Sequence, residues 1–133
     1  MTSDIGLRVV LGLLAAYHLA IGLVSIASHR WTARLTRGLY ALSLGEDARF
    51  RYAVKMLGLY ALAFGALLAL AARDPAAHRP VIAALIFLQT ARALTRLAFR
   101  RLLAEGFGVP PRRNAAHACL LLATAALLAW WFP

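Results

Sequence analysis

Arg92, Arg96 and Arg100 recur every four residues within an otherwise apolar stretch, and Gln89 precedes Arg92 by three. At about 100° per residue these side chains share one face of a helix. The chemistry such a face offers is anion binding, because a guanidinium is a planar fork of N–H donors that matches a carboxylate, phosphate or other oxyanion. A charged side chain near the centre of a bilayer costs about 2.5–3.5 kcal/mol on insertion scales, so this face looks into protein or a wet cavity and not into lipid. Three further stripes carry polar groups. Arg8, Ala15, His18, Gly22, Ser25 and His29 share one side of the first apolar stretch, and Tyr52, Lys55 and Leu59 one side of the second. On the last stretch, His117 and Thr124 stand a heptad apart. Polar residues on every apolar helix predict a common axis toward which all of them turn.

Depth sharpens that expectation. At about 1.5 Å per residue, His18 lies about 20 Å into the first stretch and Arg92 about 18 Å into the third. If those stretches start on the same side of a membrane, the two meet near its middle. Arg96, Lys55 and His117 then lie toward the opposite side, where Arg96 and Lys55 can snorkel. The expected site is a funnel with Arg92 and Arg96 supplying charge, Gln89, His18 and Tyr60 hydrogen bonds, Lys55 at the mouth and His117 nearby. Tyr60 stands about 80° around the helix from the Tyr52 and Lys55 stripe. The bland alternative is that these groups only hold the bundle together, as Ser, Thr, Gln and His do across many membrane helices.

The positions of the acids exclude several chemistries. All five carboxylates, Asp4, Glu46, Asp47, Asp74 and Glu105, fall outside the apolar stretches. A cation pathway or carboxylate proton relay needs acids at depth, and a di-metal carboxylate site needs them on facing helices. A haem between His18 and His117 is disfavoured, since their depths differ by on the order of 10 Å. The single cysteine, Cys119, permits no internal disulfide or redox pair and reads as a small buried apolar residue. Ser25 and Ser28 near His29 are ordinary helix-end neighbours, so no nucleophile–base pair stands out. The expectation is a non-enzymatic protein without metal or cofactor.

The elements that position these residues follow from composition. The 133 residues are 62% hydrophobic with a mean hydropathy of +0.71, which belongs to the membrane class. The formal net charge is +10, nearly all from arginine, with Lys55 the only lysine. The arginines flank apolar stretches, so the basic balance points to topology and anionic lipid and not to nucleic acid. Four spans are expected, over residues 5–28, 50–72, 80–103 and 115–132, each near the ~20 residues that cross a bilayer as a helix. Met1 to Asp4 lacks the basic segment of a signal peptide, so the first stretch is expected to be retained.

Residues 30–44 predict a further amphipathic helix, with Trp31, Leu35, Leu39 and Leu42 on one side and Arg30, Arg34 and Arg37 on the other. Such a helix lies in the membrane interface, and anchoring is its expected role. Pro80 suits the first turn of the third span, and the connection from Glu105 to Asn114, with Gly106, Gly108, Pro110 and Pro111, reads as a loop. The basic residues of the first and third connections place both on the cytoplasmic side and both termini outside, with Trp130, Trp131 and Phe132 as the outer aromatic anchor. Gly58, Ala61, Gly65, Ala69 and Ala72 form a small-residue face on the second span. It admits a close neighbour, either within the chain or in a homo-oligomer through Gly58 and Gly65.

The length, the four spans and the opening Arg8-Val9-Val10-Leu11-Gly12-Leu13, with Gly22 later in the same span, resemble the DoxX-like group of small bacterial membrane proteins. The resemblance implies a bacterial cytoplasmic membrane and a role as accessory subunit of a membrane redox system, quinone-linked ones included, with a redox partner. It carries over no functional residues.

The sequence therefore predicts an all-α integral membrane protein, a single domain over residues 1–133. Its expected form is a four-transmembrane-helix bundle with an interfacial helix between spans one and two. Its expected function is binding or translocating an anion or anionic-lipid headgroup at an inward-facing cationic site. The alternatives are the redox accessory subunit and a purely structural or assembly protein.

Overall fold

The computed structural model describes residues 2–133, with side chains from Ile5 onward. The described residues form six helices and no strand: α1 Thr2–Ala27, α2 His29–Tyr40, α3 Ala48–Arg73, α4 Arg79–Ala98, α5 Arg100–Phe107 and α6 Pro111–Trp130. Three of them, over Ile5–Ala27, Ala48–Arg73 and Arg79–Ala98, are long and apolar enough to cross a membrane. These three mark the chain as a membrane protein. The helix at the expected fourth span, α6, opens with Arg112, Arg113 and Asn114 and carries His117 one turn later, so its apolar run is shorter.

The helices pack as two pairs. In the first, α1 lies against α3 through its glycines. A Cβ added at Gly22 would meet the Gly58 carbonyl at 2.8 Å, one at Gly58 the Ser25 Cβ at 2.8 Å, and one at Gly65 the Leu19 amide nitrogen at 2.9 Å. Without side chains at these positions the two backbones approach far more closely than larger residues allow. The small-residue face of α3 is thus filled by α1 of the same chain. A homo-oligomer through Gly58 and Gly65 would have no free surface there. In the second pair α4 lies against α6, whose buried residues Asn114, Ala118, Leu121, Ala125 and Leu128 keep a heptad-like spacing. Ala93 packs with Ala118 and Leu121 in the seam.

The two pairs join at the end that carries both termini. Leu7, Leu11 and Ala15 of α1, Leu68 and Ala71 of α3, Ile82 and Leu85 of α4 and Leu128 of α6 form one buried cluster. Around it, Arg8 donates to the Arg73 carbonyl, and the Arg79 guanidinium lies 5.3 Å over the Phe132 ring. At the opposite, arginine-rich end the connections close the mouth. Arg113 donates to the Gly38 carbonyl at 3.1 Å, and the Ser43 amide donates to the Phe107 carbonyl at 3.3 Å.

Three boundaries differ from the sequence reading. The third span, expected to continue to Leu103, bends at Phe99 and resumes as α5. The connection expected as a loop from Glu105 to Asn114 is largely helical. Only Gly108 to Pro110 separate α5 from α6, because Gly108 at φ +66° caps α5 in the left-handed region and Pro111 starts α6. The amphipathic helix ends at Tyr40, where Ala41 turns left-handed at φ 57° and its amide donates to the Arg37 carbonyl. Cys119, expected to be buried, is exposed on the outer side of α6.

Candidate functional site

Away from the shared cluster, the two helix pairs are separated by a cavity of about 710 Å³. That is within the range of about 300–1,000 Å³ typical of small-molecule sites. Three faces enclose it. The α1 wall is Tyr17, His18, Ile21 and Ser25, the α3 wall Leu57, Tyr60, Phe64 and Leu67 at helical spacing, and the α4 wall Leu88, Arg92 and Arg96 one turn apart. The floor is α2, through Thr32, Thr36 and Tyr40, with Leu42 and Leu44 of the following segment.

Of the residues expected at the site, His18, Tyr60, Arg92 and Arg96 line this one cavity. Gln89 stands behind it, 4% exposed, and its Oε1 accepts from Arg92 Nη1 at a long 3.5 Å. Its effect on a ligand would therefore pass through the position of Arg92. His117 is also set back. Its ring packs 4.9 Å from that of Tyr40 and so ties α2 to α6. Lys55 lies elsewhere: its Nζ donates to the Ile26 carbonyl at 3.2 Å, at the end of α1 and outside the cavity lining. The stripe of Tyr52, Lys55 and Leu59 faces away, and the side of α3 that meets the cavity is the one bearing Tyr60.

His18 is held from both sides. Tyr17 and Phe64 meet its ring edge-on at 5.1 and 5.4 Å. Its Nδ1 lies 2.7 Å from the Leu14 carbonyl, and since a carbonyl only accepts, Nδ1 carries the hydrogen. A neutral His18 therefore keeps Nε2 as an acceptor and has no donor left for an anion. It suits an acid proton or a guanidinium better than a carboxylate. His18 and His117 lie against different elements, and no described contact brings the two rings to one ligand.

Among the described residues, Arg96 has the most buried side-chain nitrogens without a hydrogen bond. These are its Nε and Nη2. Its backbone is fixed all the same, because Asn114 Nδ2 donates to the Arg96 carbonyl at 2.9 Å. That carbonyl is among the last four of α4, which the helix itself leaves unpaired. Arg92 and Arg96 also act on each other electrostatically. Two like charges so placed disfavour each other, and a negative group between them would relieve both.

Sequence reasoning missed four contributors. Thr32, Thr36 and Tyr40 stand one turn apart on α2, and this regular spacing of hydroxyls was the available signal. The helix expected only to anchor thus also floors the cavity, while Trp31 and Leu39 remain outside at 57% and 52% exposure. The threonine protons are already used: Thr32 Oγ1 donates to the Ser28 carbonyl at 2.8 Å and Thr36 Oγ1 to the Thr32 carbonyl at 3.0 Å. Their oxygens can still accept, while the hydroxyls of Ser25, Tyr40 and Tyr60 have no described partner. The fourth, Asn114, heads the buried seam of α6.

No family model, curated protein or solved structure matches the chain.

Proposed function

We propose that the chain is a four-span bundle that binds an anion, or the anionic headgroup of a lipid, between its two helix pairs. The observation that carries this reading is that Arg92 and Arg96 line one cavity, with the Nε and Nη2 of Arg96 buried and without a partner among the described residues. A buried unsatisfied donor costs about 1–3 kcal/mol, more when charged, and an anion offsets that cost. The α6 helix serves as the fourth span in this reading. It runs antiparallel to α4, and its apolar residues from Ala118 to Trp130 reach the end that carries the other helix termini.

The direct test is equilibrium binding of inorganic phosphate and of short-chain phosphatidic acid to purified protein, before and after Arg92→Leu. Affinity should fall at least about tenfold, the loss of one charge-assisted hydrogen bond of about 1.5 kcal/mol or more, while the protein still inserts. Unchanged affinity would remove the site.

The positive-inside pattern supports an orientation with both termini outside and α2 and α5 at the cytoplasmic leaflet. A membrane-impermeant label on a cysteine placed at either terminus should then react in intact cells. Reaction only after lysis would reverse the orientation.

One feature favours a redox accessory role instead. Tyr17, His18, Tyr40, Tyr60 and Phe64 surround the cavity with rings, as a quinone headgroup would require. A neutral quinone, however, would leave two guanidinium charges unneutralised. A quinone recovered by organic extraction of the purified protein, retained in Arg92→Leu, would shift the reading to this second one.

A further inference from the structure

The wall of the cavity is mostly apolar, and a hydrated inorganic ion gains nothing from it. One side is also incomplete. Leu57, Tyr60 and Leu67 line the cavity, yet they are 65%, 67% and 46% exposed. Cavity-lining residues this exposed stand at its open edge. The rim runs along α3 facing Leu88 and Arg92 of α4, and the buried packing of these two helices lies at the terminal end, where Leu68 and Ala71 meet Ile82 and Leu85. From Leu67 to Leu57 the opening extends about 15 Å along α3 by helical rise. In a helix that crosses a membrane, this exposure faces lipid. The cavity thus opens sideways into the bilayer, with two cations inside and an apolar lip outside.

Resting on the anion-site reading, we infer that the ligand is a single-chain lipid acid that enters laterally between α3 and α4. Its carboxylate or phosphate would sit on Arg92 and Arg96, and its alkyl chain would leave past Leu57 and Tyr60 into the bilayer. The chain never has to leave the hydrocarbon, so only the head moves from the interface into the protein. The tyrosine at the lip suits this boundary, since its ring is apolar and its hydroxyl can follow the head inward.

The test uses the full chain in nanodiscs of zwitterionic phosphatidylcholine. The probe is oleate with a photoreactive diazirine at mid-chain. Saturable labelling should fall within residues 57–67 of α3 and 88–95 of α4, be displaced by unlabelled oleate and not by its methyl ester. Ala63→Trp, which adds bulk at the exposed lip, should reduce that labelling at least tenfold. The labelling map in the unmodified chain decides the question even if this variant misfolds. Label spread evenly over all exposed helix faces would overturn lateral entry. So would saturable label confined to Phe99 and Leu102 of the separate groove beside Arg96. Phosphate binding that Arg96→Leu abolishes, together with unsaturable oleate labelling, would keep the anion site and reject the lipid. Insensitivity of both probes to Arg96→Leu would reject both.

Discussion

Arg96→Leu should weaken anion binding about 10- to 100-fold and, in ligand-free protein, raise thermal stability. The first effect follows from losing charge-assisted hydrogen bonds of about 1.5–3 kcal/mol each, where 1.4 kcal/mol is tenfold. The second follows from the two buried N–H groups that the protein itself leaves without partners. Removing an unsatisfied buried donor recovers about 1–3 kcal/mol. The opposed signs are the informative part. An arginine kept to hold the bundle together would lower stability when removed, whatever its effect on ligands. Arg96→Lys should fall between, since it keeps the charge and loses the planar fork. Thermal unfolding of delipidated protein in detergent, paired with a binding isotherm, reads both quantities. Lower stability in Arg96→Leu would make Arg96 a structural residue.

Gly22→Ala should destabilise the fold by about 1–3 kcal/mol, a typical cost of overpacking a close contact. The added methyl would lie 2.8 Å from the Gly58 carbonyl and 2.9 Å from the Leu62 amide nitrogen, and a backbone yields less readily than a side chain. Relief requires α1 and α3 to separate, which also moves His18 relative to Phe64. Gly12→Ala is the matched control on the same helix. Nothing lies within 4 Å of its added carbon, so the change should be neutral or stabilising by up to about 1 kcal/mol, the helix-propensity gain over glycine. Equal melting temperatures for the two variants would refute the close α1–α3 contact.

Much of the architecture was legible in the sequence because helical period and apolar length are strong local signals. The α1 stripe is the clearest case: Ala15, His18, Gly22 and Ser25 were grouped by spacing and all four are buried. Boundaries read less well. Phe99 carries neither proline nor glycine, so no local signal marked the bend between α4 and α5. The break is visible only once Arg100 and Arg101 are seen on a separate short helix. His18, Arg92 and Arg96 line one cavity, and polar groups in apolar runs are conspicuous in a sequence. Lys55 is equally conspicuous by its charge, yet the angular position of Tyr60 on α3 decides which side meets the cavity. Thr32, Thr36 and Tyr40 stand out less, because the arginines and apolar residues of α2 dominate its pattern. Whether the glycine face of α3 met another copy or α1 was undecidable from spacing, since both solutions need the same small residues.

The proposed function requires the cavity to hold an anionic ligand on Arg92 and Arg96. Native mass spectrometry of gently extracted protein tests it most directly, comparing the unmodified chain with Arg92→Leu/Arg96→Leu. One anionic lipid or oxyanion per chain is expected in the former and none in the latter. A bare unmodified chain, or a ligand retained by the double variant, would contradict it.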